Sequence, residues 1–276
     1  MAGKLVAALL GSCFTCVSIT VQAWTIHASF DEGEVGQNTD RSDGFHGAAG
    51  GSTYSDQQKL KNNSARISIR KGETGYGHWG GEFIFPESAY KGDTIWFLVH
   101  VYMPENFDHY AYGEGGRLKF LRIQTLKSNG DSRGYNDLYF DKKGASQPYK
   151  WIYEGENRWS DVGSLNNPPK KEQWQSYEMS VTLDNVPASA GGMAKIRIWK
   201  NGRLLKEISD RKTLGAADDY SNRALLFTYW NGGAPKDQHM YVDEITITTD
   251  TPDNVDEQGN PYLGGLLKRR PVMVAK

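Results

Sequence analysis

Phe227-Thr228-Tyr229-Trp230-Asn231-Gly232-Gly233, followed after a short turn by Tyr241-Val242-Asp243-Glu244-Ile245-Thr246-Ile247, is the stretch that decides the fold. Rings and amides alternate with small and apolar residues at a period of two, the period of a strand with one buried face. The pattern continues outward on both sides. Ala65 to Arg70, Glu82 to Phe85, Thr94 to Tyr102, Arg117 to Thr125, Asp137 to Asp141, Tyr149 to Tyr153, Tyr177 to Leu183, Lys195 to Lys200, Leu225 to Trp230 and Met240 to Thr248 all read as strands. Lys200-Asn201-Gly202-Arg203 carries the Asn-Gly pair that a tight type I′ hairpin needs. Long amphipathic helices are absent from the pattern. The expected fold is all-β, a two-sheet antiparallel jelly-roll sandwich of the concanavalin A-like kind. Asp131 to Tyr135 and Ser160 to Lys171, rich in polar and turn residues, are expected as loops at the mouth of one face.

The first 23 residues read as an export signal: Lys4 supplies charge, Leu5 to Ile19 is apolar or small, and Val21-Gln22-Ala23 fits a cleavage site ahead of Trp24. A membrane anchor and a lipoprotein box at Leu10-Gly11-Ser12-Cys13 are the alternatives. The domain expectation is a signal over 1–23, a sandwich over 24–250 and a wrapping or frayed tail over 251–276, whose Lys268-Arg269-Arg270 run is expected to be solvated. Both cysteines, Cys13 and Cys16, lie in the signal, so the mature domain has no disulfide and must rely on its core. Without Lys4 the 32 basic residues become 31, against 33 acidic ones. Near-neutrality gives no global field for nucleic acid or for an anionic membrane surface. A secreted or periplasmic monomer is the expectation.

Candidate chemistry follows from which residues share a face. Arg122 and Gln124 lie two apart on one strand, about 7 Å, and together can grip a carboxylate. A polar face kept for solubility reads the same way. His100 shares a face with Trp96, Leu98 and Tyr102, and stands beside that pair if the two strands are neighbours. Tyr229, flanked by Trp230 and Asn231, can exchange a proton if cations lower its pKa from about 10. Asn136, Tyr139 and Trp151 extend the aromatic and amide pattern, as a sugar platform or as core, and Arg197 offers a further cation. Asp31, Glu32 and Asp243 come together if the first and last strands pair, and such oxygen ligands hold calcium at about 2.4 Å. A bare acidic turn has the same sequence. Glu-x-Asp-x-x-Glu, Gly-x-Ser-x-Gly, phosphate-loop and His-Glu-x-x-His patterns do not occur, which removes most hydrolytic and nucleotide chemistries.

Gly80 to Pro86, Ile95-Trp96-Phe97, Lys119 to Gln124, Phe227 to Gly233 and Met240 to Ile245 together resemble the jelly-roll polysaccharide lyases grouped with glucuronan, heparin and alginate lyases, over residues 25 to 250. The resemblance implies β-elimination from a uronic acid, with Arg122, Gln124 and Asn231 neutralising the sugar carboxylate. His100 or Tyr229 would then take the C5 proton, and a tyrosine would protonate the departing O4. An acidic polysaccharide is the implied partner, and the scheme requires no cofactor. This sequence departs from the pattern in three places. Arg122-Ile123-Gln124 lacks the histidine of a Gln-x-His strand, the Thr228 to Gly232 strand lacks a lysine, and no Arg-Ser-Glu motif accompanies Arg66 or Arg70. A binder needs only rings and amides, so a non-catalytic, lectin-like sandwich fits the same residues.

Overall fold

The computed structural model describes residues 23–40, 43–47, 50–75, 78–110, 116–142 and 144–265. Residues 1–22 of the expected 1–23 signal and the basic run at 268–270 lie outside them. Among the described residues there is no α-helix, and two antiparallel sheets form a jelly-roll sandwich.

One sheet, here the groove sheet, runs in the order β10 (Arg158–Val162), β9 (Tyr149–Tyr153), β8 (Ser132–Phe140), β7 (Leu118–Leu126), β14 (Ser221–Trp230), β5 (Gly81–Ala89) and β2 (His46–Gly47). The other, the back sheet, runs β13 (Arg203–Ile208), β12 (Lys195–Lys200), β11 (Trp174–Thr182), β6 (Thr94–Tyr102), β15 (Gln238–Thr248), β4 (Ser64–Ile69) and β3 (Ser52–Ser55), with β1 (Thr25–Ala28) also on β15. Several neighbours are far apart in sequence: β6 lies between β11 and β15, and β7 pairs with β14 as well as with the adjacent β8.

The alternation seen in the sequence sends one set of side chains inward. Phe120, Phe140 and Phe227 stack at 4.6–6.0 Å between centroids, with Tyr177 from the back sheet edge-on to Phe120 at 5.0 Å. Each such pair contributes about 0.5–1.5 kcal/mol beyond its buried area. Asn201 (φ 51) and Gly202 (φ 73) form the expected hairpin between β12 and β13, both in the left-handed region. Asn201 Oδ1 also accepts the Ser176 N–H at 2.8 Å, tying that turn to β11.

Two expected loops are partly strand. β8 starts at Ser132 because its exposed Ser-Arg-Gly start still pairs with β7, across a register shift between Thr125 and Leu126. β10 is a polar, exposed edge strand, and its charged side chains discourage pairing with another chain.

The segment after β15 crosses the outer face of the back sheet. The Trp199 indole donates to Asp256 at 2.9 Å and stacks on Tyr262, and the Trp96 indole donates to the Pro261 carbonyl at 3.3 Å. Glu178 closes this clasp, its two oxygens accepting the Leu263 and Gly264 N–H groups at 2.7 and 3.1 Å. Burial pushes the Glu178 carboxyl up to about 7, although both N–H donors favour its charge. A folded-state pKa above the unfolded one means that the stability it confers is present at low pH and is lost as pH rises through about 7. Urea unfolding is therefore expected to lose about 2–3 kcal/mol between pH 5 and pH 8 through this group, at about 1.4 kcal/mol per pKa unit. Glu178→Gln should flatten that slope, and an unchanged slope would assign it elsewhere.

Candidate functional site

The groove sheet turns its outer face to a continuous set of polar and aromatic side chains. Register fixes the rows. One crosses all seven strands through His46, Glu82, Leu225, Arg122, Asp137, Ile152 and Trp159. A second runs beside it through Tyr229, Lys119, Tyr139, Lys150 and Asp161. Seven strands at about 4.8 Å spacing make a face about 29 Å across.

Four strands meet at its centre. From β7, Arg122 donates through Nε to Asp137 Oδ1 at 2.8 Å and through Nη1 to Thr228 at 3.4 Å, with its guanidinium 3.8 Å over the Tyr135 ring. Burial opposes the Arg122 charge, but the Asp137 charge and hydrogen bond more than compensate and its pKa is raised. Lys119 Nζ sits 2.5 Å from Glu154 and 3.3 Å from Asp137, and 5.2 Å from the Tyr229 ring centre. Tyr139 donates to Asp137 Oδ2 at 3.1 Å, and Gln124 Nε2 donates to the Tyr135 hydroxyl at 3.3 Å. Desolvation raises the pKa of both Tyr135 and Tyr139, with nearby Asp137 adding to it. Tyr229 differs from them. It is 37% exposed, and among the described residues its hydroxyl has no hydrogen bond.

A turn in the backbone of β14 makes this possible. Phe227 takes φ 49 and the pairing with β7 shifts between Leu226 and Tyr229. Such a bulge re-aims side chains. Phe227 goes into the core, Thr228 reaches Arg122, and Tyr229 stands opposite Lys119.

Arg122, Gln124, Tyr139 and Tyr229 therefore share one groove. Asn231 follows at its rim, its N–H held by the Arg117 carbonyl at 2.9 Å. Other candidates lie elsewhere. His100 is on the back sheet, buried, with Nδ1 3.1 Å from the Glu244 carbonyl. The core separates it from Arg122, so it cannot act as base there. Asn136 points into the sandwich and donates to the Thr213 carbonyl at 3.0 Å. Trp151 belongs to the inward stripe Tyr149, Trp151, Tyr153, and Trp230 packs inward against Trp79 and Phe107. Arg197 is on the back sheet, paired with Glu207 at 2.7 Å.

Two of the residues expected as calcium ligands accept hydrogen bonds from backbone N–H groups. Asp31 Oδ1 accepts the Asn62 and Asn63 N–H groups, and Asp243 accepts those of Leu60 and Glu244. Burial, with the nearby Glu244 and Asp31 charges, pushes the Asp243 carboxyl up to about 7, against the pull of the Leu60 and Glu244 N–H groups. Among the described residues no group of three or more His, Cys, Asp or Glu, Glu32 included, is placed to hold a metal ion.

Asp137, Glu154 and Trp159 are groove residues that sequence reasoning missed. For Glu154 the signal was the complement of the aromatic stripe on β9. If Tyr149, Trp151 and Tyr153 face inward, then Lys150, Ile152 and Glu154 face out.

Fold and face together define a jelly-roll sandwich that carries charged side chains and tyrosines on the outer face of one sheet. No family profile matches the sequence, and no curated protein matches it. Solved structures do match. The alginate lyase Aly36B superposes with a TM-score of 0.60 at 13% identity, over 81% of this chain and 96% of that one. A PL-14 alginate lyase from Aplysia kurodai gives 0.60 at 16% identity, over 82% and 98%. The endo-β-1,4-glucuronan lyase of Trichoderma reesei gives 0.52 at 11% identity, over 82% and 95%. These likenesses establish the fold.

Proposed function

We propose that this protein is a polysaccharide lyase that cleaves a uronate-containing glycan by β-elimination in the outer groove of the groove sheet. The observation that carries the reading is Tyr229, whose hydroxyl has no hydrogen bond among the described residues and whose ring lies over Lys119, one strand from the Arg122 and Gln124 donors. Arg122 and Gln124, with Lys119, would draw charge from the sugar carboxylate and so stabilise the carbanion-like state at C5. Tyr229, once ionised, takes the C5 proton; the electron pair forms the C4=C5 bond as C4–O4 breaks, and the same hydroxyl returns the proton to O4. The scheme uses no cofactor. Export to the periplasm or medium, expected from the first 23 residues, belongs to this reading.

The charge balance of the groove favours a second reading, a non-catalytic carbohydrate-binding sandwich. Arg117, Lys119, Arg122, Lys150 and Arg223 are each already paired with a carboxylate. Absorbance near 235 nm separates the two. Incubation with alginate, glucuronan, heparin and pectate is expected to yield the unsaturated uronate chromophore from at least one polymer. Retained binding with no absorbance change across that panel would overturn the lyase in favour of the binder.

A further inference from the structure

The proposed lyase reading leaves a difficulty in the centre of the groove. A uronate carboxylate needs Lys119 and Arg122, yet the pair is neutralised by two carboxylates of the protein itself. Asp137 takes Arg122 at 2.8 Å and Lys119 at 3.3 Å, while Glu154 takes Lys119 at 2.5 Å and lies 3.7 Å from Arg122. With two cations against two anions, an incoming carboxylate meets no net attraction at close range.

The two anions are not equivalent. Asp137 is sealed beneath the arginine, with no exposed side-chain surface and a further hydrogen bond from Tyr139. Glu154 stands at the end of β9, where the chain turns into β10, and 29% of its side chain reaches solvent. One is structural and the other can move aside.

We propose that Glu154 is a displaceable counter-ion: the substrate carboxylate takes its place on Lys119, and Glu154, left beside Asp137 and the bound carboxylate, takes up one proton from solvent. Resting on the uronate reading of the site, this adds a specificity device to it. A neutral glycan has no charge with which to replace Glu154, so it gains nothing from the lysine.

The surroundings are suited to the exchange. Facing Glu154 are Lys119 and Arg122 from β7 and Tyr135, Asp137 and Tyr139 from β8. On the turn beyond it, Glu156 and Arg158 pair with each other at 3.2 Å. Burial and the Asp137 charge hold the Glu154 carboxyl above the ordinary carboxylate range, against the pull of Lys119 and Arg122. Once a second carboxylate binds at the same cations, like-charge repulsion raises it further.

Calorimetry with an alginate tetrasaccharide and a glucuronan tetrasaccharide tests this, using Tyr229→Phe to prevent turnover and comparing it with Tyr229→Phe/Glu154→Gln. Titrations in buffers of different ionisation enthalpy count the protons taken up. The first protein is expected to take up about one proton per bound oligosaccharide, its Kd weakening by up to about tenfold per pH unit above the Glu154 pKa. The second should take up none, show a flat Kd between pH 5 and pH 8, and bind more tightly at pH 8. Equal proton counts, or equally flat profiles, overturn the displacement and leave the uronate reading standing. Failure of both proteins to bind either oligosaccharide at any pH overturns both. A merely structural Glu154 would change melting temperature without changing the proton count.

Discussion

Tyr229→Phe is expected to lower kcat by about three orders of magnitude, within the 10²–10⁴ range of a lost acid–base group, while KM stays within about threefold. Three tyrosines line the groove beside Lys119, and two are committed. Tyr139 donates to Asp137, Tyr135 accepts from Gln124, and desolvation resists ionisation of both. Among the described residues the Tyr229 hydroxyl alone of these three has no hydrogen bond, and its ring centre lies 5.2 Å from Lys119 Nζ. Removing one half-exposed hydroxyl leaves no buried group without a partner, so the melting temperature should hold. Initial rates at 235 nm on the best polymer of the panel give the measurement. Retention of more than a tenth of kcat would move the proton chemistry to another residue.

How far this site could be read without a structure depends on residue parity and strand neighbours. Parity was legible on β7, where Arg122 and Gln124 share the outer face, and at the end of β14, where Tyr229 and Trp230 diverge. The aromatic stripe on β9 was not, because Tyr149, Trp151 and Tyr153 have the same spacing as a platform or as core. The polar residues between them decide it, since Lys150 and Glu154 cannot be buried unpaired. Bulges set a second limit. Phe227 and Glu244 both take positive φ within strands, and each resets which face the following residues occupy. Strand adjacency was the third. His100 and Arg122 lie on consecutive strands of the sequence, yet β6 pairs with β11 and β15 in the back sheet and β7 with β8 and β14 in the groove sheet. No local pattern carries that sorting; long-range packing determines it.

Arg122→Ala is the substitution expected to damage the protein most, and its effect should appear in stability before activity. The guanidinium balances Asp137, a carboxylate with no exposed surface, and removing one partner of a buried pair typically costs about 3–5 kcal/mol. Lys119 and the Tyr139 hydroxyl remain on Asp137 and place the loss at the lower end of that range. Loss of turnover in Arg122→Ala alone would therefore say little about a grip on substrate. The double variant Arg122→Met/Asp137→Leu separates the two roles, because replacing both ions by apolar groups of similar size is often neutral. Urea unfolding at pH 7 should show the double variant within about 1 kcal/mol of the parent, by the same reasoning, and 235 nm rates should show it inactive. Arg122→Lys should fall between them: a point charge can satisfy Asp137, but it cannot keep both the Nε bond and the stack on Tyr135. If the double variant folds and still turns over, the carboxylate grip belongs to Lys119 and Gln124, and Arg122 only holds Asp137 in place.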